Sequence, residues 1–241
     1  MVTPGPASSA APRRQLTAGR AERIRTAWLE YRRTGRLDPN SVEELEGEES
    51  WSVTASEDKD DAHFARLAVH RLPLGCGEDL VLHSDHHLRA DPETVLAVVE
   101  HDSLRPCVER RLVRQPDDVD RPTILVLSLP SLTDNWLDLG VEELLLTRVL
   151  AELQREDDVL VAVQLAAPGD VPRKRREAVR RWRPVFEGIG FRPLRQRDPD
   201  LPDDVWLLAD WRLLHDADQG LRERFGFAPS PFSHDGPLTS G

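Results

Sequence analysis

The sequence predicts an α/β fold, and three stretches carry that prediction. Thr123-Ile-Leu-Val-Leu-Ser-Leu-Pro130 is a short apolar run closed by a proline, the pattern of a buried strand. Leu144, Leu145, Val149, Leu150 and Leu153 then recur at helical spacing. Asp158-Val-Leu-Val-Ala-Val-Gln-Leu165 is a second buried run. Strand, helix and strand in that order predict a parallel pair joined by a crossover, the strands parting at their C-terminal ends with Gly140 opening the helix.

The other elements follow along the chain. Residues 1–17 are rich in Ala, Pro and Ser and are expected to be disordered. From Ala18 to Thr34, Ile24, Ala27, Trp28 and Tyr31 form a stripe at helical spacing, with Gly35 as a C-terminal stop. Residues 40–62 read as a short helix or linker. Phe64 to Leu74 alternates apolar and polar residues, a half-buried strand, with Asp79 to His83 as its partner across a Gly75-Cys-Gly77 turn. Asp91-Pro92-Glu93 starts a helix well: an N-cap, a proline at the first helical position and an acid in the first turn. Val95, Leu96 and Val99 give that helix its apolar face. A basic helix runs from about Arg173 to Glu187 and stops at Gly188, with Pro184 predicting a kink or a nearby end. Residues 189–194 and 205–210 read as two closing strands. One domain over residues 18–225 results, followed by a loose tail over 226–241.

The loop between the first apolar run and its helix is the most informative chemically. Backbone N–H groups at a helix start point outward, and the helix dipole there favours an anion. Yet this loop and first turn carry Asp134, Asp138, Glu142 and Glu143. The geometry suits phosphate; the charge opposes it.

The whole order of strand, helix, strand, helix, strand, strand resembles the C-terminal half of the GNAT superfamily of acyl-CoA-dependent N-acyltransferases. The resemblance spans roughly residues 120–210. Those enzymes carry Arg/Gln-x-x-Gly-x-Gly/Ala in the corresponding loop, ahead of a Leu-rich helix. Here Trp136 stands where many members have an aromatic residue, Leu137 takes the Arg/Gln place, and Asp138 a common Gly place. Gly140 matches the first motif glycine, whereas Glu142 replaces the second. Phe186 ahead of Gly188-Ile-Gly-Phe191 is similar to the family's x-Gly-Phe segment, and Trp206-Leu-Leu to its final strand. The resemblance implies a GNAT-like fold with a mixed central sheet flanked by helices, acetyl-CoA as cofactor and an amine as acceptor. It places the cofactor at Ser131, Leu132, Leu137, Asp138, Leu139, Gly140, Val141 and Glu142.

The departures from the motif have a direction. A carboxylate about 5 Å from a phosphate charge repels it by ~3 kcal/mol at an effective dielectric near 20. Asp138 and Glu142 together are then worth roughly a hundredfold or more in affinity. Weakened or lost cofactor binding is the resulting expectation. The alternative is a non-catalytic binding or regulatory protein that keeps the fold and acts through its surface, by the Arg173–Arg183 helix or the N-terminal arm. Acetyl transfer needs a base for the amine and a proton donor for the departing thiolate. The family often places a Tyr on the last helix as that donor, but Tyr31 is the single tyrosine here and Trp182 and Phe186 hold the helix. Glu100, His101 and Asp102 are candidate bases without a ranking, and no catalytic residue is assigned.

Composition sets outer bounds. With 241 residues and 39% hydrophobic content, the chain holds one sizeable core but no apolar stretch of membrane-spanning length. The N-terminus has no apolar signal region, which makes cytoplasm the expected location. A net charge of −11 argues against general nucleic-acid binding. Charge is uneven: eight arginines fall within residues 1–40, and nine acids within residues 41–61. Cys76 and Cys107 match neither a disulfide framework nor a zinc motif. His83-Ser-Asp85-His86-His87 has metal-ligand residue types but no second cluster, so no metal is expected.

Overall fold

A computed structural model describes residues 27–33, 48–57, 63–75, 91–137, 140–166, 170–194 and 204–227. In chain order the strands are β1 (Trp28–Arg33), β2 (Glu49–Ser56), β3 (His63–Pro73), β4 (Val99–Glu100), β5 (Ser103–Leu104), β6 (Thr123–Leu127), β7 (Ser131–Leu132), β8 (Asp158–Gln164), β9 (Arg192–Pro193) and β10 (Val205–Leu208). The helices are α1 (Pro92–Val98), α2 (Pro106–Glu109), α3 (Val141–Leu153), α4 (Pro172–Gly188) and α5 (Trp211–Phe225).

The two apolar runs form the middle of a mixed eight-stranded sheet in the order β1-β2-β3-β6-β8-β10-β9, with β7 also beside β3. Among the described residues only β6 and β8 are parallel, with α3 between them in the chain. Their continuous apolar character follows from burial on both faces. Leu125, Leu127, Val161 and Val163 meet the α3, α4 and α5 side. Ile124, Val126, Leu160 and Ala162 meet the side covered by α1 and α2. Leu144 and Leu145 are 6% exposed and Val149 is fully buried, so the helical stripe does face the sheet. Phe191 is fully buried and packs edge-on against Phe186 at 5.0 Å.

Asp91 caps α1, accepting from the Thr94 backbone at 3.2 Å and from its hydroxyl. Burial raises the Asp91 carboxyl above its ordinary value, against the Thr94 hydrogen bonds. α4 runs through Pro184 to Gly188, so the proline does not end it.

Three expectations are corrected. Residues 28–33 form a strand, not the end of a helix: β1 pairs antiparallel with β2 along its length. Its half-buried Leu29 and Tyr31 also fit a period of two, and Trp28, predicted on the buried stripe, is 56% exposed. Glu49–Ser56 is a strand inside the predicted linker, with Trp51, Val53 and Ala55 alternating into the core. Beyond Leu208 the chain forms α5, a helix additional to the expected elements. Asp210 caps it, and Gly226 ends it at φ 71°, within the first residues of the predicted tail. α5 packs closely: a Cβ on Gly190 (φ 100°) would stand 2.6 Å from the Leu213 Cβ.

The end of the sheet where β6 and β8 start is held by a buried ion network. Arg71 donates to Asp158 at 2.8 and 3.0 Å, to Glu49 at 2.7 Å and to the Leu153 carbonyl at the end of α3. Its guanidinium lies 5.0 Å above the Trp51 ring. Thr123 Oγ1 and the Arg155 backbone N–H, each at 2.7 Å, complete the shell of Asp158.

No helix among the described residues is long and apolar enough to cross a membrane. The predicted strand at 79–83, the His83–His87 segment, Cys76, and the segments at 1–17 and 228–241 lie outside the described residues.

Candidate functional site

The β6–β8 ladder ends at Leu127 and Val163, and beyond it the strands take different partners. The β6 side turns through Ser128 and Pro130 into β7, which pairs with Ala65 and Arg66 of β3. Ser128 is stitched to Ala68 by its backbone N–H at 3.0 Å, while its hydroxyl accepts from the Ala68 N–H at 2.8 Å. The register leaves one more residue on the β6–β7 side than on β3, a bulge of the kind that re-aims chains near sites. The β8 side continues to Gln164, paired with Val205 of β10.

On one face of this parting lies the head of α3. Trp136 stacks on Phe64 with ring centroids 4.6 Å apart, anchoring the loop near the start of β3. Four residues later Gly140 occupies the N-cap at φ 80°, with no capping side chain. A left-handed N-cap without a side chain suits glycine, and here space matters as well. A Cβ on Gly140 would lie 3.0 Å from Arg224 Nη1, so the guanidinium from the end of α5 rests against the helix head. Arg224 in turn faces Glu143 at 4.0 Å. Glu142 and Glu143 are each 4% exposed.

The structure therefore brings Gly140, Val141 and Glu142 together at one helix start. Val141 is buried, Leu132 and Leu137 are half-buried and Ser131 is exposed. Asp138 and Leu139 lie outside the described residues. Arg224 is a site residue that the sequence did not reveal; no spacing or motif ties it to Gly140.

On the opposite face of the parting is a polar cluster. Gln164 Nε2 donates to Glu93 Oε2 at 2.9 Å and lies 3.4 Å from Asp204 Oδ1. Arg175, in the first turn of α4, approaches Glu93 at 3.5 Å and Asp204 at 3.4 Å. Gln164 was legible as the polar residue that ends an apolar strand run, but nothing in the sequence joined it to the other three.

The candidate bases Glu100, His101 and Asp102 are not at this end. They form the β4–β5 hairpin, whose Asp102 carbonyl accepts from Gly75 at 2.8 Å beyond the end of β3, where β6 starts. Tyr31 is also remote from the head of α3. Burial and the nearby carboxylate of Glu152, in the last turn of α3, push its hydroxyl strongly upward in pKa. Elsewhere on α4, Arg173 and Arg183 pair with Glu177 and Glu187 on the exposed face. Among the described residues no group of His, Cys, Asp and Glu is arranged to hold a metal ion.

These features define an α/β protein with a mixed eight-strand sheet and, among the described residues, five helices. Compared with known protein families, characterised proteins and solved structures, the chain matches none.

Proposed function

We propose that the chain is a GNAT-like protein, related to acetyl-CoA-dependent N-acetyltransferases, whose hold on the acyl-CoA diphosphate is weakened. The observation that carries this reading is the head of α3. A bare glycine N-cap beside parting parallel strands suits an oxyanion. Arg224 already rests there, however, and the first turn carries the two buried carboxylates of Glu142 and Glu143. A diphosphate entering this position gains from the helix dipole and from Arg224. It loses to Glu142 and Glu143, each worth up to ~3 kcal/mol at about 5 Å in an effective dielectric near 20.

The burial of Glu142 selects the substitution to test. Glycine would leave a void in the first turn, whereas Glu142→Gln removes the charge and keeps the shape. Calorimetric titration of the whole protein with acetyl-CoA should give weak or undetectable binding. The double variant Leu137→Arg, Glu142→Gln should bind at least tenfold more tightly, and less so as salt is added. Tight binding by the unmodified protein would return the ordinary acetyltransferase reading. A double variant no tighter than wild type would remove the diphosphate site from consideration.

A non-catalytic role draws support from the remoteness of Tyr31, the chain's single tyrosine, from the head of α3. Restored binding is therefore not expected to bring restored transfer. If transfer is active, the reaction is N-acylation of an acceptor amine by acetyl-CoA.

A further inference from the structure

We propose that Glu93, Gln164 and Asp204 form a binding site for a primary ammonium group, in which the guanidinium of Arg175 stands as a displaceable occupant. This site lies on the α1 face of the sheet, away from the head of α3, and does not depend on acyl-CoA binding.

The amide of Gln164 carries the argument. The residue is 4% exposed, and Asp204 beside it is also 4% exposed. A buried amide is costly unless its donors and acceptor are satisfied. Its nitrogen donates to Glu93 at 2.9 Å and lies 3.4 Å from Asp204, so the carboxylates face the N–H side of the head group. Its Oε1 is thereby left as a buried acceptor that no donor reaches among the described residues. Two carboxylates and a carbonyl oxygen thus belong to one small cluster, all of them acceptors for a cationic donor.

Arg175 answers the charge of this cluster but not its hydrogen bonds. Its contacts to Glu93 and Asp204, at 3.5 and 3.4 Å, are ion pairs longer than the ~2.7–3.2 Å of an N–H···O bond. Its Nε, though buried, makes no hydrogen bond. A guanidinium is a rigid planar fork, whereas an ammonium is a compact charge with three donors that rotate freely. Three acceptors from three different side chains suit the second shape better. Arg175 keeps about a third of its side chain in solvent, which gives it an exit and a ligand an entrance.

The test uses the whole protein and n-butylammonium chloride, with tetramethylammonium chloride at the same ionic strength as a control that carries charge but no N–H. Wild type should bind butylammonium weakly. Arg175→Gln, which keeps a polar side chain but removes the competing cation, should bind it at least tenfold more tightly. Adding Glu93→Gln to that variant should cost at least tenfold. Tetramethylammonium should not bind in any of them. Equal binding of the two cations, or no gain in Arg175→Gln, would overturn the proposal and leave Arg175 as a structural ion-pair partner. Should that variant fail to fold, the Gln164 side-chain amide resonance of wild type decides. A saturable shift with butylammonium alone supports the site, and its absence overturns it.

Discussion

Replacing Arg71 with methionine is the sharpest perturbation of the fold. The side chain is 1% exposed and Asp158 is fully buried, so neither charge has water to fall back on. Methionine keeps an apolar stem against Trp51 but removes the donors to Asp158, Glu49 and the Leu153 carbonyl. Asp158 would retain only Thr123 Oγ1 and the Arg155 N–H. Breaking a buried pair by deleting one partner costs about 3–5 kcal/mol, because the other charge stays behind without its counter-ion. For a domain of this size that corresponds to a fall of roughly 6–20 °C in Tm. Urea unfolding followed by tryptophan fluorescence should show a lower midpoint with an unchanged slope, the mark of altered stability rather than altered compactness. Adding Asp158→Asn should return part of the loss, since a neutral amide no longer needs a cation. A loss below about 1 kcal/mol in Arg71→Met would refute the reasoning. It would mean that desolvating the guanidinium cancels what its partners return.

Two further outcomes are expected. Phe191→Ala removes a fully buried ring packed on Phe186 and should cost about 3–5 kcal/mol in the same unfolding assay; an unchanged midpoint would place the ring outside the core. Burial pushes the Glu49 carboxyl upward, but the hydrogen bonds and charges of Arg71 and Arg155 outweigh it and leave it below its ordinary value. A carboxyl depressed on folding stabilises fully above its unfolded value, about 4.3, and that stabilisation is lost as pH falls through the folded value. Glu49→Gln should therefore flatten the acid limb of a Tm-versus-pH curve below about pH 5, and an unaltered limb would count against the assignment.

What was legible in the sequence was what local periodicity decides. β6 and β8 carry unbroken apolar runs and α3 a sustained helical stripe, so the parallel pair and the glycine at the head of α3 could be read directly. Asp91 and Pro92 fixed the start of α1 because capping chemistry acts within a few residues. Tyr31 and Trp28 show where such reading fails. Their spacing fits a helix, whereas Leu29 with Tyr31 fits a strand, and it was pairing with β2, distant in the chain, that decided between them. α5 was missed although Asp210 and Gly226 bracket it, because its buried face is sparse: Leu214, Leu221 and Phe225 among charged residues. The site was the least legible part. Arg224 reaches Gly140, and Asp204 reaches Gln164, across the tertiary fold, and neither approach leaves a mark on local sequence.

The contrast between the two ends of the sheet bears on where a ligand is accommodated. Where β6 and β8 start, every donor of the Arg71 network meets a carboxylate or carbonyl at short range, and Asp158 is saturated with donors. Where they end, the ion pairs of Arg175 and Arg224 measure 3.4 to 4.0 Å, and a buried amide oxygen lacks a donor among the described residues. A protein that needed both ends only for stability would gain by tightening the second as it has the first, since an unmet buried acceptor costs about 1–3 kcal/mol. Keeping loose contacts at the parting of two parallel strands, the place where open α/β sheets bind ligands, is intelligible if those contacts are meant to be exchanged. On that proposal the tight network would have a second role beyond stability. It ties the starts of β6 and β8 to the last turn of α3, so that exchange at the far end would leave the core in place.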